Sequence, residues 1–409
     1  MDLCEKRREE SINWKRNLAV LWVGVFFSCA SYTMVVPFLP VYLLQELHVD
    51  PSEVKSWNGI VYAVSFLGAA VMAPFWGALA DHVGQRRMAI RAGLGLGFTY
   101  LLGAITQTPE QFFCVRLFTG IISGFVPAAL SLVSSTLPAQ KMGWGMGMMQ
   151  TAVASGGILG PMIGGYLSTW FGMRMSFFVS GAALIVAALM VIFFVRDVKH
   201  DNVALSEVHV FADLRVALAN NGLLFIMLLF FLVQCCTMII QPLITLYVAH
   251  LMGDVMNDTV IKTAGVVFSL TGIAGIIAGP FWGARGQRYG YTKILCIIFS
   301  GAGIINISQL FVNDVVHFAI VNFVYGLFLL GAIPNINARL VEVTDASVRG
   351  KSFGLVTSAQ QFGGVVGPLV GGLLGGFLST RYILAFTGCV LLAAAAITFK
   401  QTLYKKHSG

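Results

Sequence analysis

Arg116 has the most unusual setting of any residue in this 409-residue chain. It lies about six residues into a long apolar run, and no Asp or Glu stands in the middle of any such run. A guanidinium there is costly, and it marks a candidate transport and coupling site by default. Its planar five-donor fork must be satisfied by backbone carbonyls, water, neutral polar groups or an anionic substrate. The alternative is a stem that reaches back to the headgroups. A depth of roughly 9 Å, at 1.5 Å per residue, permits either. A second group is Gly77, Asp81, Gly84, Arg86 and Arg87. Asp81 follows Gly77 at i+4 on one helix face. Gly84 allows a tight positive-φ turn, after which both arginines can fold back on Asp81 and on interfacial carbonyls. This is either a charged contact at a helix end or a solvated, topology-setting loop. A third pattern is two glycine ladders. One is Gly156, Gly160, Pro161, Gly164 and Gly165; the other is Gly363, Gly367, Pro368, Gly371 and Gly372. Glycine at i, i+4 and i+8 makes a groove in which helix backbones meet, and proline inside it removes a helical hydrogen bond.

Neutral polar and aromatic residues near the middle of apolar runs complete the candidates: Tyr32, Tyr62, Gln150, Gln234, Gln241, Tyr325, Gln360 and Gln361. They suit a substrate cavity for amphiphilic compounds, or ordinary interhelical hydrogen bonds of about 0.6 kcal/mol each. No Ser/His/Asp, Cys/His or carboxylate pair occurs within the runs, so no enzyme is expected. The seven cysteines include no CxxC pair, which argues against a metal site or a disulfide framework. No GxxxxGK[ST] string exists for a nucleotide cofactor.

The elements that must position these residues are membrane helices. Charged residues are 11% and apolar residues 57%, against about 25% and 45–50% in soluble domains, and mean hydropathy is +0.81. A soluble enzyme and a disordered chain are excluded. Nucleic-acid binding is excluded too, since the net +8 charge sits in short clusters between apolar runs. Spans need roughly 20 apolar residues. Twelve are expected, at about 17–45, 57–80, 87–106, 110–137, 142–168, 173–195, 221–249, 261–284, 292–312, 315–341, 349–378 and 380–400. The polar interval 196–220 separates two six-helix bundles, 17–195 and 221–400. A cytoplasmic segment 1–16 precedes them and a tail 401–409 follows. With both termini cytoplasmic, 21 Lys and Arg fall inside and four outside: Lys55, Arg174, Lys262 and Arg381. That asymmetry is the positive-inside signature.

The halves repeat. Pro74-Phe75-Trp76-Gly77-Ala78 returns as Pro280-Phe281-Trp282-Gly283-Ala284, 206 positions later. The glycine ladders are offset by 207, and Pro37 and Tyr42 match Pro242 and Tyr247 at 205. Six spans per repeat give both halves one orientation, related by an axis along the membrane normal, a layout used by transporters. The copies are not electrically equal. Asp81 aligns with Gln287 and Arg116 with Asn322.

Gly77-Ala78-Leu79-Ala80-Asp81-His82-Val83-Gly84-Gln85-Arg86-Arg87 resembles the loop 2–3 signature of the major facilitator superfamily, a resemblance that implies a gating latch of Asp81 with Arg86 and Arg87. Arg116-Leu117-Phe118-Thr119-Gly120 resembles its span-4 motif, and Gly156 to Gly165 the span-5 antiporter motif of its proton-coupled drug exporters. The resemblance covers the whole chain. It implies an all-α membrane protein with the twelve-helix major facilitator fold. It further implies a secondary active transporter of the bacterial inner membrane, a monomer exporting amphiphilic molecules against protons by alternating access. Many such exporters carry an embedded carboxylate, and this chain has none. That leaves the proton carrier open. It also keeps a second reading, a dedicated exporter of a siderophore, sugar or organic anion.

Overall fold

A computed structural model describes residues 13–138, 141–196, 221–253, 256–344 and 349–407. Most of the expected segments 1–16 and 196–220 lies outside the described residues, as do the side chains of Asp81 and His82 and of residues 402–409. The described residues form α-helices: α1 Trp14–Met34, α2 Leu39–Gln45, α3 Val54–Val83, α4 Gln85–Ile105, α5 Pro109–Ile122, α6 Phe125–Thr136, α7 Met142–Phe171 and α8 Met173–Phe194. There follow α9 Asn221–Ile240, α10 Ile244–Leu251, α11 Asp258–Tyr289, α12 Tyr291–Ser308, α13 Val315–Leu329, α14 Ala332–Val343, α15 Arg349–Phe377 and α16 Thr380–His407. Ten helical stretches are long and apolar enough to cross a membrane. α7 and α15, at 30 and 29 residues, are long enough as well. Their glycines and polar residues keep them out of the ten.

Four expected spans are broken. The first is interrupted at 35–38, which contains Pro37, and the seventh by a 3₁₀ turn, Gln241–Leu243, which contains Pro242. Proline lacks the N–H that continues a helix. The fourth breaks at Ser123–Gly124, where Gly124 has φ 125°, and the tenth at Leu330–Gly331. These are the first and fourth spans of each half, so the breaks repeat with the sequence.

Contacts divide the chain into two units. The first comprises Met1–Val36 and Gly68–Val208, the second Pro37–Leu67 and His209–Gly409. Residues 37–67 therefore group with the C-terminal part. Within the second unit the Asn58 amide donates to the Pro242 carbonyl at 2.7 Å, and Gly59 lies against the Pro368 carbonyl. In the first unit α1 packs on α7 and α4 on α8; in the second, α9 packs on α15 and α12 on α16. The same pairing at the same repeat offset shows that the two copies fold alike. The second unit has a core of large side chains around Phe299, Phe318, Tyr247, Ile298 and Leu295, all almost fully buried.

Candidate functional site

Arg116 belongs to the first unit. Helix α5 starts where Thr108 accepts the Gln111 N–H, with Pro109 at the first helical position and Glu110 in the first turn. Helix α5 packs on α4, and the Arg116 side chain is only 4% exposed. The guanidinium bonds the Tyr100 phenol of α4 and lies close enough to the Tyr32 phenol of α1 to interact electrostatically. Its Nε has no hydrogen-bond partner, and no carboxylate pairs with it among the described residues. A side chain so buried does not snorkel. The charge is held by neutral oxygens, with one donor left for another acceptor. In the second unit α13 starts on the matching cap, Asp314, which accepts from Val316 and His317. Asn322 is 2% exposed and donates to Thr271 Oγ1 at 2.8 Å. One scaffold position thus carries a cation in the first copy and a satisfied amide in the second.

The glycine ladders are contact surfaces. A Cβ on Gly156 would stand 2.6 Å from the Phe26 carbonyl of α1, and one on Gly160 2.7 Å from that of Ala30; at Gly164 the Met34 carbonyl is nearer still. The second unit repeats this against α9. The corresponding distances are 2.6 Å from Gly363 to Phe231, 2.7 Å from Gly367 to Cys235 and 2.6 Å from Gly371 to Ile239. No real Cβ tolerates such distances, so backbone meets backbone. This closeness lets the Thr33 hydroxyl reach the Gly156 carbonyl at 3.1 Å. Helices α7 and α15 run through Pro161 and Pro368. Gly165 is buried, and a Cβ on Gly372 would stand 3.0 Å from the Lys55 carbonyl.

In the loop signature, Gly84 has φ 99° and its repeat mate Gly290 φ 94°, the left-handed turn expected of that position. Arg86 donates to the Ile192 carbonyl of α8 at 2.6 Å, and Arg87 is exposed. A Cβ on Gly77 would meet nothing within 4 Å among the described residues. Its spacing from Asp81 places both on one face but says nothing of a neighbour.

The neutral polar candidates are divided between the two units. Tyr32 and Gln150 fall in the first unit, the first half-buried beside Arg116, the second exposed. In the second unit Gln360 donates to Gln234 at 3.3 Å, and Tyr325, 5% exposed, lies near Cys236. Gln241 opens the 3₁₀ break, Tyr62 is 2% exposed and Gln361 is half-buried.

A family model described as Major Facilitator Superfamily matches residues 21–261 and 255–408. The chain belongs to that superfamily. Among curated proteins it is 33% identical over 404 residues to the multidrug resistance protein MdtG of Escherichia coli, covering 98% of this chain and 97% of that one. The nucleoside transporter NupG superposes with a TM-score of 0.76 at 17% identity, over 94% of this chain and 98% of that one. The human organic anion transporter MFSD10 does so with 0.70 at 16%, over 94% and 99%. Membership in the Major Facilitator Superfamily makes the protein a multi-pass membrane transporter of small molecules, not an enzyme.

Within this superfamily member, the repeated string of span 2 has a role its sequence hid. The Trp76 indole donates to the Ile121 carbonyl at 2.6 Å, and the Trp282 indole to the Leu327 carbonyl at 2.7 Å. Both acceptors lie just before a helix break, where a carbonyl has lost its helical partner. Arg91 stacks 3.7 Å over the Trp76 ring and donates to the Ser123 carbonyl at 3.2 Å. Counting Arg91 with the cytoplasmic positives conceals this. Trp76→Phe and Trp282→Phe should each lower stability by roughly 1 kcal/mol, the net worth of one hydrogen bond. Thermal unfolding of the purified variants checks this, and unchanged midpoints in both would exclude the role.

Proposed function

We propose that this transporter exports amphiphilic small molecules across the bacterial cytoplasmic membrane, coupled to proton influx, by alternating access. Both termini lie in the cytoplasm and the unit of function is the monomer. The observation that carries this reading is the whole-length likeness to MdtG, a multidrug resistance protein. The backbone-to-backbone grooves at the antiporter motif and at its repeat support it. Arg116, held by phenols and with Nε unpartnered, is the residue that meets substrate or a coupled anion. Because no carboxylate neutralises it, a second reading stands beside the first: a dedicated exporter of an organic anion.

Proteoliposome transport under an imposed pH gradient tests both. Accumulation of a lipophilic cationic dye that collapses with the gradient supports multidrug export. Gradient-driven movement of an organic acid, with no dye transport, selects the second reading. Transport indifferent to the gradient overturns proton coupling. In this reading Asp81, Arg86 and Arg87 serve as the gating latch, so Asp81→Asn should cut transport about tenfold at unchanged membrane abundance, the loss of one charge-assisted interaction. Gln287→Asn should leave transport unchanged. Equal, negligible effects at both positions would remove the latch.

A further inference from the structure

The second unit contains a cavity of about 300 Å³. Lys55, His250 and Arg381 line it together with Tyr247, Ser379 and Thr380, and no carboxylate is among its lining residues. We propose that this cavity is an oxyanion site for a phosphate group. The proposal does not depend on what the transporter carries.

Charge is the first argument. The positive-inside distribution leaves four Lys and Arg on the outer side of the whole chain, Lys55, Arg174, Lys262 and Arg381, and two of these four line one cavity. Like charges in one pocket repel unless an anion lies between them, and the low dielectric of a protein wall sharpens the repulsion. Arg174, by contrast, is spent on the Ala104 and Thr106 carbonyls, at 3.0 and 2.9 Å.

Donors are the second. Arg381 lies beside the Tyr247 phenol, while its Nε is buried with no hydrogen-bond partner. Helix α16, 28 residues long, begins at Thr380. Thr380 and Arg381, its first two residues, line the cavity, so the positive end of the helix dipole lies there. The Ser379 and Thr380 hydroxyls add neutral donors. An arginine fork, an ammonium and a helix N-terminus together match the charge and the acceptors of a phosphate.

The third argument is that the donors are held in place. The Tyr247 ring packs edge-on to Phe318, with centroids 4.9 Å apart, and stacks on His250 at 6.5 Å. The Lys55 stem lies along Gly375, where a Cβ would stand 3.1 Å from its Cδ. A bound phosphate would bridge the start of α3, the end of α10 and the start of α16. It would thus stabilise the packing of residues 37–67 within this unit.

A phosphodiester headgroup and free inorganic phosphate share this chemistry, and the experiment separates them. Delipidated full-length protein in detergent is titrated with sodium phosphate against sodium chloride of equal ionic strength, and the unfolding midpoint is read. A parallel series replaces phosphatidylcholine by phosphatidylglycerol in nanodiscs. Reaction of Lys55 with an amine-acetylating reagent is followed by mass spectrometry in both. The wild type should gain stability, with Lys55 acetylation slowed at least threefold. In Lys55→Gln and Arg381→Gln the half-saturating concentration should rise at least tenfold. Protection by inorganic phosphate assigns a free ion. Protection by phosphatidylglycerol alone assigns a lipid headgroup. Undiminished Lys55 acetylation with both overturns the site, and that reading needs no variant to fold. Equal responses in the wild type and both variants also overturn it.

Discussion

Arg116→Ala is expected to abolish transport, and Arg116→Lys to restore little of it. The side chain is 4% exposed, so the truncation removes a buried cation rather than a surface charge. The Tyr100 and Tyr32 phenols then lose the group they are arranged around. A hydrogen bond to a charged group contributes about 1.5–3 kcal/mol, a factor of roughly ten to a hundred, and a buried partner left unpaired adds its own penalty. Lysine keeps the charge but offers a compact point donor in place of a planar fork. It cannot bond a phenol while presenting a second, fixed N–H to a ligand. Transport is measured at matched membrane abundance, with thermal unfolding as the control for folding. Full activity in the Lys variant would show that charge alone suffices. Full activity in the Ala variant would take Arg116 out of the mechanism. Asn322→Ala supplies the contrast. It breaks a bond to Thr271 and should cost stability without abolishing transport.

Gly160→Leu and Gly367→Leu should each eliminate transport, and for the same reason in both units. Each adds a side chain where the facing carbonyl stands 2.7 Å from the position of a Cβ. Overpacking of an ordinary core costs about 1–3 kcal/mol. Here the obstacle is backbone, which cannot rotate aside, so the cost should exceed that range and separate α1 from α7 or α9 from α15. Gly157→Ala is the internal control. A Cβ there meets nothing within 4 Å, so removing a helical glycine should be neutral or stabilise by about 0.5–1 kcal/mol. Unfolding midpoints and transport are measured on all three. Wild-type behaviour of both Leu variants would show that the helix pairs move apart freely and that close packing is not needed.

The membrane class, the approximate spans, the duplication and the two glycine ladders were all legible in the sequence. Each is a local or periodic property. Apolar length sets a span because the bilayer demands internally satisfied backbone over a known thickness. A ladder at i, i+4 and i+8 is a groove whatever packs on it. The positive φ at Gly84 and Gly290 follows from a glycine placed between two helices. The rest needed the tertiary structure, because it depends on partners far along the chain. Averaging apolarity over a run cannot see a single-turn break, so four spans read as continuous although residues 35–38, 123–124, 241–243 and 330–331 interrupt them. The rotation of α5 about its axis decides whether Arg116 meets lipid or phenols, and that is fixed by contacts with α1 and α4, not by the residues beside it. Trp76 reaches a carbonyl 45 positions away, and its duplicate Trp282 does the same. The string that contains them announced a repeat but not an acceptor. Spacing along one helix determines which residues share a face. Only the packing of other helices decides what that face meets.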